Sequence, residues 1–180
     1  EEPKTDPSSA TDSQKLQQQL EKAIDEFGLS KAVHIKSTEN YAQLEIQDKV
    51  LFKSSEAELT ASGGMLLKRI APLLKQSKGF IFIEGHTDNI PIGGPGAEFG
   101  NNWDLSAARA VHVTEALIRF GLLPRQLGAA GYAEYDPIAN NATPQGRQKN
   151  RRIEIILEPR LEEVVTPRDK PGKSARVAVK

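Results

Sequence analysis

The sequence predicts an α+β fold, an α/β two-layer sandwich in which a mixed sheet of four or five strands carries helices on one face. Short segments with alternating or continuous apolar character recur along the chain. Longer segments between them carry apolar residues at helical spacing, and glycine or proline separates one kind from the other. The 180 residues are enough for one ordinary core with room for tails. The formal net charge is zero, so no global attraction to nucleic acid or to an acidic partner is implied. Cysteine is absent, which excludes disulfides, zinc-thiolate sites and thiol catalysis. No apolar run approaches the roughly 20 residues of a membrane helix. The chain begins at Glu1, not Met, as a processed protein or an excised piece would.

Taken in order, "EEPKTDPSSATDS" is polar and holds two prolines, so residues 1–13 are expected to form a flexible linker. A helix from about Ser13 to Phe27 makes up most of an N-terminal helix region, 14–30. Leu16, Leu20, Ala23, Ile24 and Phe27 share one stripe, and Gly28 stops it. "AVHIKSTENYAQLEI" alternates around "STEN", giving strands at Ala32–Lys36 and Tyr41–Ile46. Glu56–Gln76 has helical spacing through Leu59, Leu66, Leu67, Ile70 and Leu74, although Gly63, Gly64 and Pro72 interrupt it. Strands follow at Gly79–Gly85 and Leu127–Tyr132, and a helix runs from Asp104, read as its N-cap, to Phe120. "RRIEIILEP" alternates and ends in proline, as a last strand would. The main domain spans 31–160, and residues 161–180 form a disordered basic tail.

One arginine stands on the wrong face. At about 100° per residue, Leu105, Val113, Ala116, Leu117 and Phe120 form the apolar stripe of their helix, and Arg109 falls inside it. A guanidinium at a core edge needs an anionic partner. Asp88 is the leading candidate, because it lies just past a buried strand where α/β layers form ligand crevices. The pair can be a plain tie between loop and helix. It can also be a zwitterion site, with Arg109 taking a carboxylate and Asp88 an ammonium. "GRQKNRR" (Gly146–Arg152) reads as a solvated basic loop, since nucleic-acid binding needs interleaved aromatics or a broad basic face.

The stretches "VLFKSSEAEL", "IEGHTDNIPI", "NNWDLSAARAVHV" and "AAGYAEYDPIANNATPQGRQKNRRIEI" together resemble the OmpA-like peptidoglycan-binding domain. The long "TDNIPI…NNWDLSAARA" form is most similar to the version in flagellar stator subunits of the MotB type. The resemblance runs from Val50 to Leu157. It implies a non-catalytic periplasmic domain that binds the diaminopimelate of the peptidoglycan stem peptide, itself a zwitterion. It assigns the aspartate of "GHTDN" to Asp88 and the arginine of "LSxxRA" to Arg109. Thr87, Asn102, Arg147 and Arg152 are further candidates for lining the site, and Asn150 is expected to shape the turn. It also implies a homodimer, a MotA-like membrane partner reached through an upstream inner-membrane helix, and contacts with other flagellar periplasmic proteins. No cofactor is implied.

Three features depart from the pattern. Lys53 replaces the usual acidic residue, "GGPGAEFG" is inserted as either a flap or a surface loop, and the stator's membrane helix is missing. Two other readings remain. One is a peptidoglycan-associated outer-membrane protein or lipoprotein of the same superfamily. The other is a peptidoglycan hydrolase using "HTD". Only His34, His86 and His112 are available to it, and no HExxH, carboxylate pair or serine triad is recognisable. His86 is expected to be a packed or turn-stabilising residue, with no metal. The early helix is expected to dock on its own domain.

Overall fold

The computed structural model describes residues 7–37, 41–77 and 79–158, with side chains from Lys15 onward. Residues 38–40 of the expected "STEN" turn, the expected basic tail and the first six residues of the expected linker lie outside these. The elements are α1 (Pro7–Glu26), β1 (Val33–Ser37), β2 (Ala42–Gln47), α2 (Asp48–Leu51), α3 (Ala61–Leu74), β3 (Ile81–His86), α4 (Asn102–Arg119), β4 (Leu127–Gly131), α5 (Pro144–Asn150) and β5 (Arg152–Leu157). The sheet order is β1-β2-β5-β3-β4. Only β3 and β4 run parallel, with α4 supplying the crossover that a parallel pair requires. The expected five-stranded mixed sheet with helices on one face is what forms. No described helix is long and apolar enough to cross a membrane.

Strand alternation builds the core. Leu44, Ile155 and Ile83 stand directly opposite one another across β2, β5 and β3, and all three are fully buried. Ile46 and Ile153 repeat the pattern one step along. This face receives α1, α3 and α4 through Leu20, Ala23, Ile24, Leu66, Leu67, Ile70, Leu74, Val113 and Leu117. The α1 helix docks on the same body, as expected, and Arg69 of α3 donates to Glu26 at 2.6 Å. Phe27, by contrast, lies outside the stripe and is exposed, because the helix ends at Glu26 and Gly28 turns the chain at φ 64°.

Several boundaries move for physical reasons. The first helix begins at Pro7, not Ser13, because proline fits a first helical turn whose N–H groups have no partner within the helix. Glu56–Leu59 is not helical. Leu59 bridges Phe52, and α3 starts only after Thr60, whose hydroxyl accepts from the Gly63 N–H at 3.1 Å. Pro72 is tolerated within the last turn. The cap of α4 is Asn101, whose side chain accepts from the Asp104 N–H, while Asp104 accepts in return from the Asn101 amide. Part of the supposed basic loop is α5, capped by Thr143.

Two glycines set the distance between α4 and the sheet. A Cβ on Gly85 would lie 2.1 Å from the Ser106 carbonyl oxygen, and one on Gly131 would lie 2.4 Å from the Ala107 nitrogen. Both neighbours are backbone, so neither can swing aside. Gly85→Ala is expected to destabilise the fold by about 3 kcal/mol through overpacking. Gly64→Ala, with open space at its Cβ and a helical backbone, should stabilise by roughly 0.5–1 kcal/mol. Urea denaturation of the two variants checks both signs.

Candidate ligand groove

Three central strands deliver charge to one edge of the sheet. Asp48 follows β2 and Asp88 lies two residues past β3, while Arg151 immediately precedes the antiparallel β5. The end of two strands and the start of the third therefore meet at the same rim. There they line a groove of about 330 Å³ with Phe52, Ser55, Thr87, Ile90, Asn102, Arg109 and Arg147. A smaller cavity of about 250 Å³, lined by Leu74, Ile81 and Leu122, sits toward the other end of β3 and lacks such a set of charges.

Asp88 is held in a structured turn. Its Oδ1 accepts from the Ile90 N–H at 2.9 Å, a local closure that aspartate favours. The Thr87 hydroxyl donates to the Asp88 carbonyl, and the Asn102 amide donates to the carbonyls of Asp88 and Ile90. Thr87 N–H is fixed in turn by the carbonyl of Ala133, and Ala133 N–H donates to the Ser106 hydroxyl on α4. The turn thus moves with α4. This leaves Asp88 Oδ2 for Arg151, whose Nη1 lies 2.5 Å away.

Arg109 is only 2% exposed, as its position in the apolar stripe predicts, yet its partner is not Asp88. Its Nη1 donates to Asp48 at 3.1 Å, its Nε to the Glu56 carbonyl at 2.9 Å and its Nη2 to the Lys53 carbonyl at 3.3 Å. The guanidinium also lies over the Phe52 ring, 5.0 Å from its centroid. Asp48 takes this role because it caps the neighbouring central strand, while the Asp88 turn points its free oxygen toward Arg151. Arg151 Nε, 3.6 Å from Asp48, joins the two carboxylates. Burial pushes the Asp48 carboxyl up against the pull of Arg109 and Arg151, and pushes the Arg109 guanidinium down against the pull of Asp48. Both shifts run the same way: desolvation exceeds the attraction within the pair.

Of the residues singled out from sequence, Thr87, Asp88, Asn102, Arg109 and Arg147 line one groove. Arg152 does not. It is 1% exposed, and it donates to Glu154 at 2.6 Å and to Asp136 at 3.2 Å. Strand alternation sends it to the face opposite Arg151. Asn150 shapes the turn as expected, accepting from the N–H groups of Ile138 and Ala139 and donating to the Ala139 carbonyl. The Gly93–Gly100 segment is largely exposed and contributes no lining residue, so it is a surface loop and not a flap. Asp48 and Arg151 were the omissions. The rule that selected Asp88, a carboxylate just beyond a buried strand, selects Asp48 equally well.

The sequence profile of the OmpA family matches residues 51–151, more than half of the chain and nearly all of this rim. The chain belongs to the OmpA family. Over 147 residues this OmpA-family chain is 38% identical to Motility protein B of Bacillus subtilis, covering 81% of the chain but 56% of that relative. It therefore spans about half the length of this curated relative. Among solved structures, it is similar to a MotB-like protein from Desulfovibrio vulgaris at 28% identity and a TM-score of 0.74, covering 82% of the chain and 94% of that structure. It is also similar to the cell-wall anchor of the type VI secretion system from Pseudomonas aeruginosa, at 32% identity and a TM-score of 0.69, covering 78% and 96%.

The buried pair gives a direct test of this geometry. Asp48→Ala strands the Arg109 charge and is expected to destabilise by about 3–5 kcal/mol. The double variant Asp48→Leu/Arg109→Met should recover roughly half of that loss, because it removes both desolvated charges while leaving two carbonyls unpaired. Urea midpoints of the single and double variants measure the difference.

Proposed function

We propose that the chain is a non-catalytic periplasmic anchor that binds peptidoglycan through the diaminopimelate of a stem peptide. The observation that carries this reading is the alternation of two carboxylates and three guanidiniums around one small groove. A zwitterion can insert into the Asp88–Arg151 pair without leaving net charge behind. Its ammonium takes Asp88 Oδ2, and its carboxylate takes the released Arg151 together with Arg109. Arg109 has three N–H groups committed to protein partners, which leaves two of its five for a ligand. Thr87 and Asn102 hold the turn, and Arg147 stands at the margin.

The reading as an anchor and not a hydrolase draws support from His86. This imidazole lies on β3 but faces away from the groove, and the groove offers no acid–base pair beside an activated nucleophile. Each charge-assisted contact contributes roughly 1.5–3 kcal/mol, so one groove binds weakly and firm attachment comes from several domains on one polymer. The likeness to Motility protein B supports a place in a flagellar stator, as a homodimer with a MotA-like membrane partner and an upstream inner-membrane helix. The likeness to the secretion-system anchor supports wall attachment independently of motility. An outer-membrane or lipoprotein setting is the second reading; the residues preceding Glu1 in the gene product distinguish the two.

Cosedimentation with purified sacculi tests the groove. Asp88→Asn, Arg109→Ala and Arg151→Ala, each confirmed folded by circular dichroism, should lose most of the pelleted fraction, whereas Lys36→Ala on the far face should behave as wild type. Retention of all three folded groove variants at wild-type levels rejects the assignment. Binding should also weaken as salt is raised from 0.05 to about 0.5 M, because the contacts are ionic and the Arg151 side chain is 37% exposed.

A further inference from the structure

The face of the sheet turned away from the helices carries its own chemistry. Alternation along β3 sends Phe82, Glu84 and His86 to this side, and alternation along β5 sends Arg152, Glu154 and Ile156 there. The register sets Glu84 opposite Glu154 and His86 opposite Arg152. One carboxylate oxygen each from Glu84 and Glu154 and one ring nitrogen of His86 lie within 4.8 Å of one another.

His86 is the unusual member. It is 1% exposed, and among the described residues neither of its ring nitrogens has a hydrogen-bond partner. A buried imidazole ordinarily satisfies at least one of them. The ring stacks on Tyr132, with centroids 5.4 Å apart, which fixes its plane. Its Nε2 faces Glu84 at 3.8 Å and its Nδ1 faces Asp136 at 3.8 Å. Both separations are too long for hydrogen bonds, and a carboxylate on each side of an imidazole is the arrangement of a metal-ligating histidine with an orienting outer partner.

The remaining groups fit the same picture. Glu84 is partly buried and stands directly across the register from Glu154. Glu154 has Arg152 on one oxygen at 2.6 Å. A cation between the two glutamates would relieve their repulsion across the strands.

We propose that Glu84, His86 and Glu154 form a site for a divalent transition-metal cation of the zinc type, with Asp136 orienting the histidine and solvent completing the coordination. One imidazole with two carboxylates favours such a borderline ion over calcium or magnesium, which prefer oxygen alone. The site is separate from the groove and does not depend on the ligand proposed for it. No local motif marks these three residues, because they come from two strands and meet only through the register. A structural ion here would clip β3 to β5 beside the groove without any catalytic step.

The test titrates zinc chloride into the chelator-treated 180-residue chain by calorimetry, with cobalt(II) absorption reporting the coordination. Wild type should bind about one ion per chain and melt at a higher temperature when saturated. Glu84→Gln, at a partly exposed position that leaves the fold intact, and His86→Gln should abolish saturable binding. Asp136→Asn should weaken it about tenfold. His34→Gln, at an exposed histidine on another strand, should change nothing. Absence of saturable binding by wild type overturns the proposal, as does equal affinity in Glu84→Gln or a loss seen only in His34→Gln.

Discussion

The buried Arg109–Asp48 pair is the constraint around which the rest of the groove is arranged. A single guanidinium on α4 gathers the carboxylate after β2 and the carbonyls of Lys53 and Glu56, and it covers the Phe52 ring. His112, one turn further along α4, donates from Nδ1 to the Ala57 carbonyl at 2.7 Å and continues the same seam. An irregular segment that has no ladder of its own is thereby fixed to a helix. Desolvation works against attraction in this pair, yet an apolar substitute would leave the Lys53 and Glu56 carbonyls unpaired and regain only part of the stability. Its presence is easier to understand as the means of holding a positive charge at a groove wall.

The second constraint is steric. Gly85 and Gly131 bring α4 against β3 and β4 at backbone contact, and this sets where the end of β3 emerges. From that point the chain divides its chemistry by parity. Gly85 faces the helix, His86 the outer surface, and the turn that follows presents Asp88 to the rim. Arg151 and Arg152 divide in the same way at the start of β5, one to the groove and one to the outer face. Adjacent residues thus serve two surfaces that share only the sheet between them.

Much of this was legible from sequence. Five strands, the buried helices and the misfit of Arg109 followed from periodicity, because alternation and the 3.6-residue repeat directly encode which side chains face inward. The choice of partner was not legible. Periodicity shows that Arg109 needs an anion, but the identity of that anion depends on which strand lies beside which, and the order β1-β2-β5-β3-β4 is not written in any local pattern. The same gap hid Arg151 and separated Glu84 from Glu154, whereas Arg152 was nominated by the family motif although alternation along β5 sends it to the other face. The helix Pro144–Asn150 was missed for a different reason: it is short and mostly polar, and it is defined by its Thr143 cap and its Asn150 anchor, not by an apolar stripe.

The strand order also determines how a mechanical load would travel. The groove is built from the ends of β2, β5 and β3, the three interior strands, whereas α1 leads into β1 at the sheet's margin. For a domain gripped at its groove and pulled from its amino-terminal side, tension enters at α1, held to α3 by side-chain packing and the Glu26–Arg69 contact. It then meets β1, which is hydrogen-bonded along one side only. These would peel off residue by residue. The interior strands, bonded on both sides, would keep their shape, so the chain could lengthen under strain while its grip stayed closed.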